Sequence, residues 1–151
     1  MKIRKVWAVK GTKPIILSTG SHKLIVMSGV VFEDGSQLFR SYSIADSDSF
    51  LDYLKNLLRK HPKIILYIDK APWHREKRVK HFISHNKYRL KIRWFPSGHP
   101  ELNPMEETWN QGKEIVLGSH YYSTFSEFKN EVIIFYRTKR FKLDLYKYLC
   151  H

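Results

Sequence analysis

The sequence predicts an α/β fold in which a mixed sheet, with antiparallel and parallel strands, is flanked by helices. Three observations predict it: two β-branched segments joined by a tight turn, an unbroken apolar run in mid-chain, and segments with helical spacing around that run. The 151 residues provide enough chain for one hydrophobic core. We therefore expect residues 1–151 to form one α/β domain.

The first predicted element is a β-hairpin. Residues 23–32 (KLIVMSGVVF) are rich in β-branched side chains, and Asp34-Gly35 follows as a hairpin turn signal. Residues 36–43 (SQLFRSYS) would return antiparallel to them. A helix is predicted next, with Asp46 or Ser47 as N-cap. Its apolar residues fall at helical spacing: Phe50, Leu54, Leu57 and Leu58.

The apolar run at residues 64–68 (IILYI) predicts a strand buried on both faces, and therefore a central, parallel strand. It ends at Asp69. Because ligands bind at the carboxyl ends of strands in open α/β sheets, Asp69 is a candidate site residue. The alternative, which we weigh equally on this pattern, is that Asp69 caps the next helix through Ala71-Pro72.

A helix is predicted over residues 75–86, with an apolar stripe of Val79, Phe82 and Ile83, and a strand over residues 89–95. Asn103 and Pro104 then predict the start of another helix, as N-cap and first helical residue. A last helix follows Thr124 and Glu127, which have the spacing of a capping box.

Glu106 is the second candidate carboxylate. It lies three residues after Asn103, and this spacing alone favours a structural capping box. Met105 and Trp109 are expected to face the core, which leaves Glu106 on a face open to a cleft. Its neighbour Glu107 is a rival for either role. His74 lies five residues after Asp69, but a lone histidine is more often a structural residue.

The charge balance points to a polyanionic partner. The chain has 27 Lys+Arg and 14 Asp+Glu, a formal net charge of +13. Residues 59–93 hold twelve of the basic residues and only two acidic ones, beside aromatic side chains that suit base stacking. We expect nucleic-acid contacts from the basic residues that surround Asp69 and His74 in sequence: Lys70, Arg75, Lys77 and Arg78.

The sequence disfavours a membrane-spanning protein and a disulfide-stabilised protein. No apolar stretch approaches the roughly 20 residues needed to cross a bilayer. Cys150 is the only cysteine, so no intramolecular disulfide can form, and a reducing cytoplasm is the expected location.

Two segments resemble the catalytic core of mariner-like insertion-sequence transposases. These are residues 66–83 (LYIDKAPWHREKRVKHFI) and residues 94–113 (WFPSGHPELNPMEETWNQGK). The family has an Asp that closes an apolar strand, a His five residues later, and then a Pro-(Glu/Asp)-Leu-Asn-Pro-x-Glu-x-x-Trp motif. Residues 5–14 (KVWAVKGTKP) and the hairpin also follow the family order. Because this second motif is long and specific, it favours a functional role for Glu106 over a purely structural capping role.

The resemblance implies an RNase H-like DDE endonuclease that cleaves DNA and transfers strands. By this resemblance Asp69 and Glu106 are the second and third carboxylates of a triad that binds two Mg²⁺ or Mn²⁺ ions, and His74 and Asn103 support them. The implied partner is DNA, both transposon ends and target. The implied location is a prokaryotic cytoplasm, in association with the nucleoid.

The first carboxylate of the triad has no counterpart here. In the family it lies on the first strand of the sheet, just ahead of the segment that residues 5–8 resemble. We also expect residues 1–151 to include no separate N-terminal DNA-recognition domain. Lys70 also replaces a common Asn. We therefore expect a sheet without its first strand and a chain that is inactive alone. Three explanations stay open: a truncated or decayed reading frame, completion by an upstream transposase fragment, or completion by a second copy. The alternative is a non-catalytic basic DNA-binding module.

Overall fold

The fold was obtained as a computed structural model, which describes residues 23–118 and 120–149. The family-like segment at residues 5–14 and Cys150 lie outside these ranges. The predicted hairpin is confirmed: β1 (Val26–Val31) pairs antiparallel with β2 (Gln37–Tyr42), from Val26 opposite Tyr42 to Val31 opposite Gln37. Gly35 closes the turn at φ 77°, a conformation that glycine adopts without steric cost.

The first helix, α1 (Ser47–Lys60), begins as predicted. The Asp46 carboxylate accepts the backbone N–H of Ser49 at 2.8 Å, which satisfies one of the donors left free at a helix start. The helix ends at His61, immediately before a proline that cannot continue the ladder. Its apolar face is buried in the core.

A crossover connects two parallel strands. β3 (Ile64–Ile68) pairs with β4 (Leu90–Trp94), and α2 (Lys77–His85) lies between them in sequence. The helix was predicted to begin at residue 75 but begins at Lys77. Pro72–Arg75 forms a short 3-10 turn instead, and Glu76 has extended backbone. The three apolar residues predicted for this helix pack against the core.

The prediction that both faces of β3 are buried is wrong for the described residues. Ile64 and Leu66 are buried, but Ile65 is 60% exposed and Tyr67 is 42% exposed. Alternate side chains of a strand point to opposite faces, and α1 and α2 cover only the face that carries Ile64 and Leu66. An apolar run alone cannot tell how many faces neighbouring elements cover.

The C-terminal half is helical, with α3 (Met105–Gly118), α4 (Phe125–Thr138) and the short α5 (Leu145–Leu149). The Asn103 side chain accepts the N–H of Met105 at 3.1 Å. The predicted capping box of α4 is confirmed, since Thr124 and Glu127 each accept a backbone N–H of the other. No helix in residues 23–118 or 120–149 is long and apolar enough to cross a lipid bilayer.

Two hydrophobic clusters cover opposite faces of the hairpin. Val30 packs on the cluster built around α1, together with residues of β3 and β4. Val31 and Met27 pack instead with α3 and α4, in a cluster that contains Val116, Val132 and Tyr136. The hairpin and the parallel pair thus share one core over α1. In the part of the chain that the structure describes, however, no strand joins β1–β2 to β3–β4.

Candidate active site

Asp69 directly follows β3, at the carboxyl end of the parallel pair. Its Oδ1 accepts the backbone N–H of Ala71 at 2.9 Å and lies 3.0 Å from Nδ1 of His74. The hydrogen bond with His74 lowers the pKa of Asp69 below the ordinary value of 3.8, and this outweighs the partial burial that would raise it. The carboxylate is therefore ionised at neutral pH. It does not cap a helix, because its bond to the Ala71 N–H is a local turn contact and the 3-10 turn, which has Ala71 as N-cap, has no side-chain capping bond.

His74 is held by packing as well as by hydrogen bonding. Its ring lies 4.1 Å from the Phe50 ring between centroids, and Trp73 meets it edge-on. The side chain is only 14% exposed, whereas that of Asp69 is 61% exposed. Because Phe50 belongs to the core, the imidazole orients an open carboxylate from a fixed position.

A cleft of about 240 Å³ opens beside these two residues. One wall comes from β1, another from the end of β3, and α1 contributes Phe50 and Tyr53. The start of α3 completes it with Asn103, Met105 and Trp109. The two family-like segments, residues 66–83 and 94–113, therefore meet at one cleft.

Glu106 lines a second cleft rather than the first. Its backbone N–H donates to the Asn103 carbonyl at 3.0 Å, as expected in a first helical turn. The half-buried carboxylate makes no hydrogen bond within the described residues, so it does not close the capping box that its spacing allowed. Asn103 lines both clefts, so it lies between the cleft beside Asp69 and the cleft that Glu106 lines.

The second cleft is acidic and holds about 390 Å³. The rival carboxylate, Glu107, also lines it, but is engaged at the surface by Gln111 and Tyr148, each at 3.3 Å. Met105 and Trp109 pack into the core as predicted. Glu106 is thus the less engaged of the two adjacent glutamates, and the more available ligand.

The four predicted DNA-contacting residues differ in their engagement. Lys70 Nζ lies 3.2 Å from Ser97 Oγ and links the loops after β3 and β4. Arg78 donates to Asp48 at 2.9 Å and to Ser47 at 3.0 Å, so it ties α2 to the start of α1. Arg75 and Lys77 are exposed. Sequence reasoning missed this contact of Ser97, which lies three residues after the end of β4.

The described residues offer the right kind of ligand atoms for a divalent metal, but too few of them. Carboxylate oxygens are the ligands that Mg²⁺ and Mn²⁺ prefer, and both Asp69 and Glu106 provide them. Within residues 23–118 and 120–149, however, no group of three or more His, Cys, Asp or Glu side chains is placed to hold an ion. We therefore assign no catalytic step to the described residues alone.

Comparison with known proteins identifies the family. A family model of the DDE superfamily endonucleases matches residues 1–129. The chain belongs to this family. The match covers Asp69, His74, Asn103 and Glu106, and it confirms the resemblance on which the site residues were selected. No match to a curated protein was found.

Comparison with solved structures identifies the fold class of this DDE-family chain. Its fold is similar to that of the Mos1 strand transfer complex, with a TM-score of 0.61 at 15% identity over 90% of this chain and 42% of that chain. The Mos1 transposase paired-end complex with the left transposon end gives 0.60 at 15% identity, over 97% and 45% of the two chains. This DDE-family chain therefore spans less than half of the Mos1 chains, and the RNase H-like fold class is confirmed.

Proposed function

We propose that residues 1–151 are part of a DDE transposase catalytic domain, and that this part carries two of its three carboxylates. In the intact enzyme the domain cleaves DNA phosphodiesters and transfers strands, whereas this chain alone is inactive. The observation that carries the proposal is Asp69, ionised and oriented by His74 at the end of a parallel strand in a DDE-family chain.

The proposed metal ligands are Asp69 and Glu106, with Mg²⁺ or Mn²⁺ as the ion. When two such ions are bound, they stabilise the attacking and leaving oxygens of a phosphodiester. The role of this chain is to keep Asp69 ionised and oriented through His74, and to present the Glu106 carboxylate, which no other described residue binds. Asn103 positions Glu106 by capping the first turn of α3.

Plasmid nicking in Mn²⁺ tests the proposal. We expect the purified chain to give no more than trace nicking, because the donor set is incomplete. Robust cleavage that Asp69→Asn abolishes would contradict the inactivity. Fusion of a strand with an Asp ahead of residue 1 is expected to restore strand transfer, and Asp69→Asn or Glu106→Gln should abolish it. Glu107→Gln is the matched control, since Glu107 is engaged at the surface.

DNA is the proposed partner, contacted by Lys70, Arg75, Lys77 and Arg78. The scarcity of acidic residues around Asp69 supports it, and so do the Mos1 structures, one of which is a complex with a transposon end. An upstream transposase fragment or a second copy of the chain would supply the remaining carboxylate. The proposed location is a prokaryotic cytoplasm, in association with the nucleoid.

The incomplete donor set favours a second candidate function, a non-catalytic DNA-binding module derived from a transposase. Lys70 places an ammonium group next to Asp69 in sequence, which opposes metal binding by charge. This function predicts a DNA affinity that falls steeply with salt and is unchanged by Asp69→Asn combined with Glu106→Gln. Restored strand transfer in the fusion protein would exclude it.

A further inference from the structure

Two histidines lie on the exposed side of α2, outside the site described above. His81 and His85 are four residues apart, so their side chains leave the same face of the helix about one turn from each other. Both residues are exposed, and their ring centroids are 4.1 Å apart. Two imidazoles at this spacing on a helix can bind one metal ion through one nitrogen of each ring.

The hydrogen bond of His85 leaves the nitrogen that a metal ion needs. Nδ1 of His85 lies 3.0 Å from the carbonyl oxygen of His81. Because a carbonyl oxygen only accepts, Nδ1 of the neutral ring carries the proton and Nε2 keeps its lone pair. Metal-binding histidines donate their second ring N–H to a carbonyl in the same way, which fixes the orientation of the ring. Nε2 of His85 is thus available as a ligand.

The ring of His81 provides the second ligand. In the part of the chain that the structure describes, its side chain makes no hydrogen bond or ion pair, so both of its nitrogens are available. Two nitrogens that bind the same tetrahedral Zn²⁺ ion, each at about 2.0–2.1 Å, lie about 3.3 Å apart. Rings with centroids 4.1 Å apart reach this separation by side-chain rotation, which exposed residues undergo readily.

The surroundings of the pair both favour and oppose a cation. His85 is the last residue of α2, where the partial negative charge of the helix C-terminus favours a cation. The exposed Lys77 and Lys80 oppose it by charge. Among residues 23–118 and 120–149, no third His, Cys, Asp or Glu completes the site. We therefore expect a site of moderate affinity, with water in the remaining coordination positions.

Imidazole nitrogen determines which class of metal the pair takes. It suits Zn²⁺, Ni²⁺ and Cu²⁺, whereas Mg²⁺ and Mn²⁺ prefer carboxylate oxygens such as those of Asp69 and Glu106. We propose that His81 and His85 bind one divalent late transition-metal ion, such as Zn²⁺, across the last turn of α2. The ion would clamp this turn and add positive charge to a basic helix. This goes beyond the proposed function, because binding requires neither DNA nor the two carboxylates.

Zn²⁺ titration of the full chain, followed by NMR of the histidine ring signals, tests the proposal. Each histidine gives its own signal, so binding at His74 is distinguished from binding at the pair. We expect the His81 and His85 signals to shift together and to give one common Kd. A large excess of Mg²⁺ should leave this Kd unchanged, and so should Asp69→Asn combined with Glu106→Gln.

Removal of either histidine should weaken binding strongly. His81→Asn and His85→Asn should each raise the Kd measured at the remaining ring about 100-fold, because the second ligand is no longer held at a high effective concentration. The matched control is Lys80→His combined with His81→Asn. It keeps the number of histidines but places the two rings on different faces of α2, so it should bind as weakly as His81→Asn.

Four outcomes would overturn the proposal: Zn²⁺ shifts neither signal, the two signals give different Kd values, Mg²⁺ competes, or the control with altered spacing binds as tightly as the wild type. The test is independent of catalysis. A chain that binds Zn²⁺ at this pair but stays inactive in the fusion protein would support the metal site and contradict only the catalytic role.

Discussion

Nδ1 of His74 lies 3.0 Å from Oδ1 of Asp69, while the imidazole ring packs on Phe50 at 4.1 Å between ring centroids. One partner is largely buried and the other is open. The hydrogen bond lowers the pKa of Asp69, so the carboxylate keeps its charge and its orientation without a metal. A carboxylate that is ionised and oriented in this way can bind a cation. Its pKa and orientation can be measured without any DNA cleavage.

His74→Phe keeps an aromatic ring against Phe50 but removes the hydrogen bond. We expect the pKa of Asp69 to rise back toward 3.8, measured by NMR titration of its carboxyl carbon. His81→Phe, on the exposed side of α2, is the control. An unchanged titration midpoint in His74→Phe would show that another group lowers this pKa.

The same hydrogen bond predicts how stability depends on pH. Because the folded-state pKa of Asp69 is lowered, its contribution is present above the unfolded value of about 3.9 and is lost as pH falls through the lowered pKa. Urea unfolding should therefore show a wild-type advantage over Asp69→Asn at pH 7 that shrinks below about pH 4. An advantage that persists in acid would contradict the linkage.

Gly112 of α3 lies against Tyr136 of α4. A Cβ at this position would overlap the hydroxyl of Tyr136, whose ring is buried among Phe39, Trp109 and Phe141. We expect Gly112→Ala to lower the free energy of unfolding by about 1–3 kcal/mol, despite the better helix propensity of alanine. Chemical denaturation measures this change.

A double-mutant cycle separates this overlap from other effects of the substitution. Tyr136→Phe removes the overlapping hydroxyl and a weak hydrogen bond to the Thr108 carbonyl at 3.3 Å. In that background Gly112→Ala should cost less than in the wild type. Equal costs in both backgrounds would mean that the hydroxyl is not the obstacle.

Thr124 caps α4 through its hydroxyl, which accepts the N–H of Glu127 at 3.2 Å. Thr124→Ala should lower the free energy of unfolding by about 1 kcal/mol, since a donor of the first turn loses its partner. Thr124→Ser keeps the hydroxyl and should stay close to the wild type. If both variants lose the same stability, methyl packing rather than the cap is responsible.

Lys77 and Arg78 are adjacent and equally charged, but only Arg78 is paired with Asp48. Lys77→Ala should weaken duplex DNA binding and reduce the slope of log affinity against log salt by about one. Arg78→Ala should reduce the slope less and lower thermal stability, because it releases α2 from α1. Fluorescence anisotropy across a salt series measures both, with the exposed Lys142→Ala as a control outside the basic segment. Equal slopes for Lys77→Ala and the wild type would exclude Lys77 from the interface.

Local patterns predicted the elements of this fold well. Asp46 and Thr124 were recognisable as caps because their side chains bond to a backbone N–H only three residues away. The parallel pairing of β3 with β4 was predicted, but the burial on both faces from which it was inferred does not hold. The exposure of Ile65 and Tyr67 was not predictable, because it depends on which distant elements cover each face of the sheet.

The sequence by itself determined the family and the order of strands and helices, and it singled out two candidate carboxylates, because motif spacing and periodicity are carried by neighbouring residues. Only the tertiary structure decided how these parts act. It placed the ring of His74 on Phe50 and its Nδ1 against Asp69, left Glu106 without a capping bond, and paired Arg78 with Asp48. It also brought β1 and the end of β3 to the walls of one cleft. These relationships arise when chain segments pack across a shared core, and no local pattern encodes them.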